Sequence, residues 1–246
     1  MEPSADTTAH TADAAEDAAK RPELTAFGRA VHGQLLWLQR GYVSDPDDPM
    51  AVQVLSQLRP GAGRLPEEVP QLLGYDYGLG EVWLEEDAPV RAAHIALTLY
   101  ARHQQSLRNW DLRMYRWGKP GGQRPPLLHN LGWAVRAVMD EESRPRDAAD
   151  GDGGGGVRAS ARPPVHEPVR QRFVQAGKAS DVKTMADRLR GLVDLLHRHR
   201  IPLDYAVLAE HLHRAQQPGG LAEVRCSWNF GFNAYRKPDN TDKDAP

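Results

Sequence analysis

Residues 180–204, SDVKTMADRLRGLVDLLHRHRIPLD, decide the fold. Their apolar residues recur at steps of three and four: Val182, Met185, Ala186, Leu189, Leu192, Val193 and Leu196. This spacing predicts an α-helix with one continuous apolar face, which needs a core to cover it. Ser180 is the predicted N-cap, and Asp181 places negative charge at the positive end of the helix dipole. Pro202 prevents the helix from continuing.

The rest of that helix surface is charged. It carries Lys183, Asp187, Arg188, Arg190 and Asp194, and residues 197–200 (HRHR) place positive charge at the C-terminal end of the dipole. The helix therefore has one face for a core and one face for charged surroundings.

The other periodic stretches are also predicted to be helical. They lie at 23–42, 50–58, 88–103, 127–139, 165–176, 203–216 and 221–235. Residues 140–164 contain four consecutive glycines and cannot form a packed core, so they are predicted to be a flexible linker. The prediction is an all-α fold of two helical bundles joined by this Gly-rich linker.

The domain bounds follow from the same composition. A disordered tail spans 1–22, an N-terminal helical domain 23–139, the linker 140–164, a C-terminal helical bundle 165–237 and a second disordered tail 238–246. The sequence shows no apolar run of membrane-spanning length and no secretory signal, and its single cysteine, Cys226, excludes an internal disulfide. We therefore expect a cytoplasmic protein with no membrane partner.

Charge is segregated along the chain. The formal net charge is −2, yet residues 88–139 hold seven arginines and one lysine against a single acid, Asp111. A basic stretch of this kind can bind a polyanion even in a near-neutral protein, although its arginines could equally be solvating helix faces. Five aromatic residues lie among these bases: Tyr100, Trp110, Tyr115, Trp117 and Trp133. Aromatic rings beside arginine can stack on the bases of single strands, unless the rings are core residues.

Catalytic and metal-binding patterns are weak. His197 and His199 lie two residues apart, as do His211 and His213, so neither pair faces one side of a helix and no metal site is predicted. Cys226 falls within an apolar helical stripe and is interpreted as a small hydrophobic residue. We predict no enzymatic activity and no cofactor.

Residues 203–212 (LDYAVLAEHL) are similar to the first helix of a helix-turn-helix. Five residues, 216–220, then intervene where the motif needs a turn of three or four, and the following aromatic-rich helix is predicted to be a packing helix. A helix-turn-helix DNA-binding regulator remains the alternative function, and a metal-dependent nuclease is a third.

Several blocks in order resemble one family. They are AHIALTLYARHQQS at 93–106, NLGWAVRAV at 130–138, VRQRF at 169–173, LRGLV at 189–193, IPLDY at 201–205 with Leu208 and Ala209, and VR at 224–225 with Trp228. Together these blocks resemble the CasB family, the small subunit of the type I-E CRISPR Cascade surveillance complex, in a long actinobacterial form. The resemblance covers roughly residues 23–237 without the linker.

The resemblance implies an all-helical, non-catalytic protein that works inside a complex. Its implied partners are a second copy of itself, the Cascade backbone and large subunits, the guide RNA and the target DNA. Basic residues would support the RNA–DNA duplex and hold the displaced strand. By position, the resemblance implies nucleic-acid contacts for Arg91, Arg170, Arg172, Lys178, Arg190 and Arg225. Arg102, Arg136 and Lys183, on the predicted helices, complete the predicted set.

Overall fold

The computed structural model describes residues 23–116, 130–143 and 167–235. In these ranges the helices are α1 (Ala26–Val43), α2 (Pro49–Leu58), α3 (Glu81–Leu84), α4 (Asp87–His103), α5 (Leu131–Ser143), α6 (Glu167–Gly177), α7 (Val182–His199), α8 (Tyr205–Ala215) and α9 (Gly220–Ala234). Within these ranges, Tyr115 and Leu203 form an isolated parallel β-bridge. The all-α prediction is confirmed.

Helix α7 buries the stripe that its sequence predicts. Six of the seven stripe residues are buried and Val182 is half-buried. The cap differs from the prediction: Asp181, and not Ser180, is the N-cap, and its carboxylate accepts a hydrogen bond from the Thr184 amide at 2.7 Å. An aspartate there both satisfies a free N–H group and opposes the positive helix end, which explains its preference over serine at this position.

Side-chain caps also set the starts of α1, α2 and α8. α1 begins after Thr25, whose hydroxyl accepts a hydrogen bond from the Gly28 amide, and so starts later than predicted. Asp48 caps α2 and Asp204 caps α8 in the same way. The predicted start of α5 at 127 lies outside the described residues, which resume at Asn130.

The helices pack as two bundles, and each bundle contains helices from both sides of the 140–164 stretch. α4 is buried along most of its length and packs against α8, α7, α2 and α1, while α5 packs against α9, α6 and α7. α8 therefore joins helices that precede the 140–164 stretch, and α5 joins helices that follow it. One hydrophobic core runs through both bundles. The predicted linker begins too early, because residues 140–143 belong to α5. Residues 144–164 lie outside the described ranges, and the domain bounds stay a prediction.

Helices α5 and α9 cross with their backbones in close contact. A Cβ atom added at Gly132 would lie 1.8 Å from the Trp228 carbonyl oxygen, so this helix crossing excludes every side chain. Phe173 of α6 covers the same region by stacking on Phe232, with 5.5 Å between ring centroids. The absent side chain at Gly132 allows the two backbones to touch.

Several histidines are buried with tyrosine partners. His94 shares a hydrogen bond with the Tyr77 hydroxyl and His103 with the Tyr205 hydroxyl, each at 2.9 Å. Burial lowers the pKa of His94 to about 4 and that of His103 to about 3. Both rings are neutral at pH 7 and belong to the core.

Candidate nucleic-acid interface

Helix α6 ends at a corner where two arginine side chains bind its last carbonyl groups. Arg225 of α9 donates from Nε to the Gly177 carbonyl at 2.5 Å and from Nη2 to the Ala179 carbonyl at 3.0 Å. Arg188 of α7 donates from Nη1 to the Gln175 carbonyl at 2.5 Å. The last carbonyls of a helix lack intrahelical donors and carry partial negative charge, so two guanidinium groups satisfy them here.

Lys178 and Arg172 complete this cluster, which we call the α6–α7 corner: Arg172, Lys178, Arg188 and Arg225. Lys178 directly follows α6, and Arg172 lies one turn before Gln175. Both side chains are exposed, and within the described ranges neither has an ion-pair partner. The nearby Asp181 carboxylate is occupied as the α7 cap, and the hydrogen bonds from Thr184 lower its pKa.

The corner keeps its positive charge because its partners are carbonyls. A carbonyl orients a guanidinium without neutralising it, and each arginine retains N–H groups that bind nothing else in the described part of the chain. Fixed guanidinium groups beside a mobile ammonium suit the oxygens of a phosphate.

Three other predicted contact residues are held by carboxylates. Arg102 forms a two-point pair with Asp194, from Nε at 2.5 Å and from Nη2 at 3.0 Å. Lys183 pairs with Glu68. Arg91 lies between Glu67 and Asp87 at 3.4 and 3.5 Å. These three residues connect parts of the fold, and their charges are balanced locally.

The remaining predicted residues take separate positions. Arg136 lies over the Phe232 ring at 5.5 Å, and Arg170 makes a long contact of 3.9 Å with Glu167 on its own helix. Arg190 is exposed, but it lies two residues after Arg188 and so points to nearly the opposite side of α7. Of the predicted set, Arg225 bonds the carbonyls at the end of α6, Arg172 lies on that helix and Lys178 directly follows it.

The family of the chain follows from comparison with known proteins. The sequence profile described as CRISPR-associated protein Cse2 (CRISPR_cse2) matches residues 54–232, which is more than half of the chain. The chain belongs to the Cse2 family. The predicted resemblance to the CasB small subunit of Cascade is confirmed.

A solved structure agrees with this assignment. The chain is similar to the crystal structure of CasB from Thermobifida fusca, with a TM-score of 0.58 and 37% sequence identity over 86% of this chain and 99% of that one. None of the curated proteins compared with the chain matches it significantly. The long form predicted from the sequence is consistent with a chain that covers almost all of its relative and extends beyond it.

Arg188 is the corner residue that sequence reasoning missed in this Cse2-family chain. Its charge was assigned to the exposed face of α7 and not to the site. The sequence pattern that could have identified Arg188 is a basic residue in the second turn of a helix that follows a short connection. Such a residue can reach the carbonyl end of the preceding helix.

Within the described residues of this Cse2-family chain, His197 and His199 have structural partners. His197 donates from Nδ1 to the His103 carbonyl at 2.8 Å, and His199 pairs with Glu142 at 3.3 Å. No group of three potential metal-binding side chains occurs in the described ranges. The interpretation of Cys226 as a buried hydrophobic residue is wrong, because its side chain is exposed on α9.

Helix α9 packs against the fold, as its aromatic content predicts. Val224, Trp228 and Gly231 are buried on it, and its crossing with α5 at Gly132 leaves no space for a ligand. None of the described helices is both long and apolar enough to cross a bilayer.

Proposed function

We propose that this Cascade small subunit binds the nucleic-acid backbone through the α6–α7 corner, without sequence preference. There it supports the duplex of guide RNA and target DNA and stabilises the displaced strand of the R-loop in antiviral defence. The supporting observation is that Arg188 and Arg225 bind carbonyls at the end of α6 and so keep their charge. Arg172 on α6 and Lys178 directly after it are exposed and have no ion-pair partner in the described ranges.

The chemistry is charge neutralisation. Each lysine or arginine that contacts a phosphate releases condensed counterions, so binding weakens steeply as salt rises. Phosphate contacts position a protein on nucleic acid but carry no sequence information. In an RNA-guided complex, base pairing with the guide supplies the sequence recognition, and protein contacts to the backbone tip the balance of R-loop formation.

The proposed role includes no bond-breaking step. Among the described residues, Ser227 shares a hydrogen bond with His211 Nε2 at 3.1 Å, which is the kind of pair a nucleophile would need. However, the Trp228 indole N–H donates to His211 Nδ1 at 3.1 Å, so the neutral ring carries its proton on Nε2. In this tautomer Nε2 is a donor and cannot accept the serine proton.

The proposed partners follow from the family. They are the guide RNA, the target DNA, a second copy of this chain, and the backbone and large subunits of Cascade. The localisation that accompanies this role is cytoplasmic, as the sequence predicts.

The test compares two double variants of equal charge. Arg172→Ala with Lys178→Ala removes one arginine and one lysine from the corner. Arg214→Ala with Lys183→Ala removes the same residue types where Glu223 and Glu68 already balance them. In the assembled complex with guide RNA, the corner variant should bind target DNA about tenfold more weakly at ~0.15 M salt, with a salt slope reduced by about two.

The control variant should stay within about twofold of the wild type, because it removes charges that are already paired. Equal losses in the two variants would contradict the proposal, since general charge would then matter and the corner would not. Unchanged binding in the corner variant would contradict it as well.

A further inference from the structure

Trp110 is an exposed aromatic residue in a basic setting. It opens the 3₁₀ turn Trp110–Leu112 in the loop after α4, and 51% of its surface is accessible. The sequence placed five aromatics among the bases of this region. Tyr100, Tyr115 and Trp133 are buried in the core, and Trp117 lies outside the described residues. Trp110 alone of the described four presents its ring to solvent.

Arg113 covers one face of this ring. Its guanidinium carbon lies 3.8 Å from the indole centroid, and its Nε donates to the Trp110 carbonyl at 2.6 Å. A cation over an indole is attracted by the negative face of the ring, and the hydrogen bond fixes its position. Because one face is covered and half of the residue is still accessible, the opposite face of the ring is open.

A second cation lies beside the first. Arg116 donates from Nη2 to the Asp111 carbonyl at 2.6 Å, and its buried Nε has no hydrogen-bond partner among the described residues. Burial and the positive charge of Arg116 both lower the pKa of Arg113, because the two guanidinium groups repel each other. As at the corner, their hydrogen-bond partners are carbonyls, which leave the charge available to an anion.

The loop is held on a rigid base. The Met114 amide donates to Gln104 Oε1 at 2.8 Å and the Tyr115 amide to Gln39 Oε1 at 2.9 Å. The Leu203 amide donates to the Met114 carbonyl at 3.0 Å, next to the parallel bridge. Little ordering is therefore needed when a ligand meets the ring, which favours binding.

We propose that Trp110, Arg113 and Arg116 form a binding site for one unpaired nucleotide of a single strand. The base stacks on the open face of Trp110, and Arg113 and Arg116 hold the adjoining phosphate. The ring is flanked by two cations whose hydrogen bonds go to carbonyls, with Asp111 as a nearby carboxylate. An exposed aromatic ring beside positive charge is the combination that single-strand binding sites use.

This site goes beyond the proposed function because it recognises a base. The α6–α7 corner contacts phosphates, which single strands and duplexes share. Stacking on Trp110 needs a base that is free of its own stack, so the site separates single strands from duplexes. Each proposal can therefore be disproved while the other stands.

The experiment uses the full chain and three fluorescent probes: a twenty-nucleotide thymidine strand, the same strand with abasic sites throughout, and a duplex of equal length. Trp110→Ala should bind the thymidine strand about tenfold more weakly than the wild type, in line with the loss of one stacked base. Trp110→Phe should recover most of this loss. Neither variant should change binding of the abasic strand or of the duplex.

Phe230→Ala is the matched control, because Phe230 is another exposed aromatic residue, 56% accessible, on α9. It should leave all three affinities within twofold of the wild type. Thermal unfolding should show the same midpoint for every variant used. The corner double variant should weaken binding of the thymidine strand and of the duplex alike, which tests the proposed function separately.

Three results would overturn the nucleotide site. One is unchanged binding of the thymidine strand by Trp110→Ala, or no binding of it by the wild type. Another is an equal loss on the abasic strand, which would mean that no base is stacked. The third is a Trp110→Ala variant that fails to join the other Cascade subunits yet binds single strands normally, which would make Trp110 a protein contact.

Discussion

Basic residues at two places beside α7 have different partners: a carboxylate in one place and backbone carbonyls in the other. At the seam between α4 and α7, Arg102 faces the Asp194 carboxylate; at the α6–α7 corner, Arg188 and Arg225 face backbone carbonyls. A carboxylate cancels the charge of an arginine, whereas a carbonyl only directs it. The same residue type therefore joins two helices in one place and presents positive charge in the other.

The largest expected effect is a loss of stability in acid, because the pKa values of two buried histidines lie far below that of a free histidine. His103 follows Arg102, and its carbonyl holds His197 of α7. The folded pKa values of His103 and His94, about 3 and 4, lie below the unfolded value near 6.5. Their contribution to stability is complete above pH 6.5 and is lost as the pH falls, because the unfolded chain binds protons that the folded chain excludes.

Each of these histidines should remove roughly 1.4 kcal/mol of the free energy of unfolding per pH unit between pH 6.5 and its folded pKa. Denaturant titrations at pH 7, 6, 5 and 4.5 measure this slope. His103→Gln should make the slope shallower by the share of one histidine. An identical slope in that variant would show that His103 does not contribute to the acid sensitivity.

Removing the carboxylate of the seam should have the next largest effect. Asp194→Ala leaves Arg102, whose side chain is 31% accessible, without its two-point partner, and Asp194 itself is 43% accessible. After allowance for solvent screening, the free energy of unfolding should fall by about 1 kcal/mol. A double-mutant cycle with Arg102→Ala isolates the pair, and a coupling energy of zero would mean that the seam does not depend on it.

Substitutions at the corner should distinguish Arg225, which donates to backbone carbonyls, from Lys178, which is exposed. Arg225→Ala deprives two carbonyls at the end of α6 of their donor, so we expect a loss of stability of about 1 kcal/mol together with weaker nucleic-acid binding. Lys178→Ala should weaken binding with no change in the unfolding midpoint. Equal stability losses in the two variants would remove this distinction.

The smallest effect is expected for Lys183→Ala. Its partner Glu68 also accepts a hydrogen bond from the Leu65 amide, which is the main reason that the pKa of this carboxyl is lowered. Lys183 lies at the surface, where exposed ion pairs contribute little. The unfolding midpoint and the affinity should both match those of the wild type, and a tenfold loss of affinity would place Lys183 in the interface.

Periodicity predicts the helices well and the partners poorly. The apolar stripe of α7 and the helical character of 88–103 follow from spacing because burial repeats with the turn of the helix. No spacing reveals that Arg102 meets Asp194, since 92 residues separate them and only packing brings them together. The predicted cap, Ser180, is wrong by one residue because serine and aspartate both suit that position and local rules do not separate them.

The candidate site could be predicted only in part. The family resemblance pointed to Arg225, which bonds the end of α6, and to Arg172 and Lys178, which lie on that helix and directly after it. It also pointed to Arg91, which two carboxylates hold. Cys226 shows the limit of the stripe argument: it lies two residues before buried Trp228, and therefore on nearly the opposite side of α9, where it is exposed.

The exchange of helices between the bundles means that a backbone cut between Ser143 and Glu167 would not yield two independent halves. The first fragment would keep α4 without α8, and the second would keep α9 without α5, so each would expose a surface shaped for the other. Produced together as separate polypeptides, the fragments should reassemble by complementation. The subunit could then be used as a two-piece reporter whose assembly depends on the fit at Gly132.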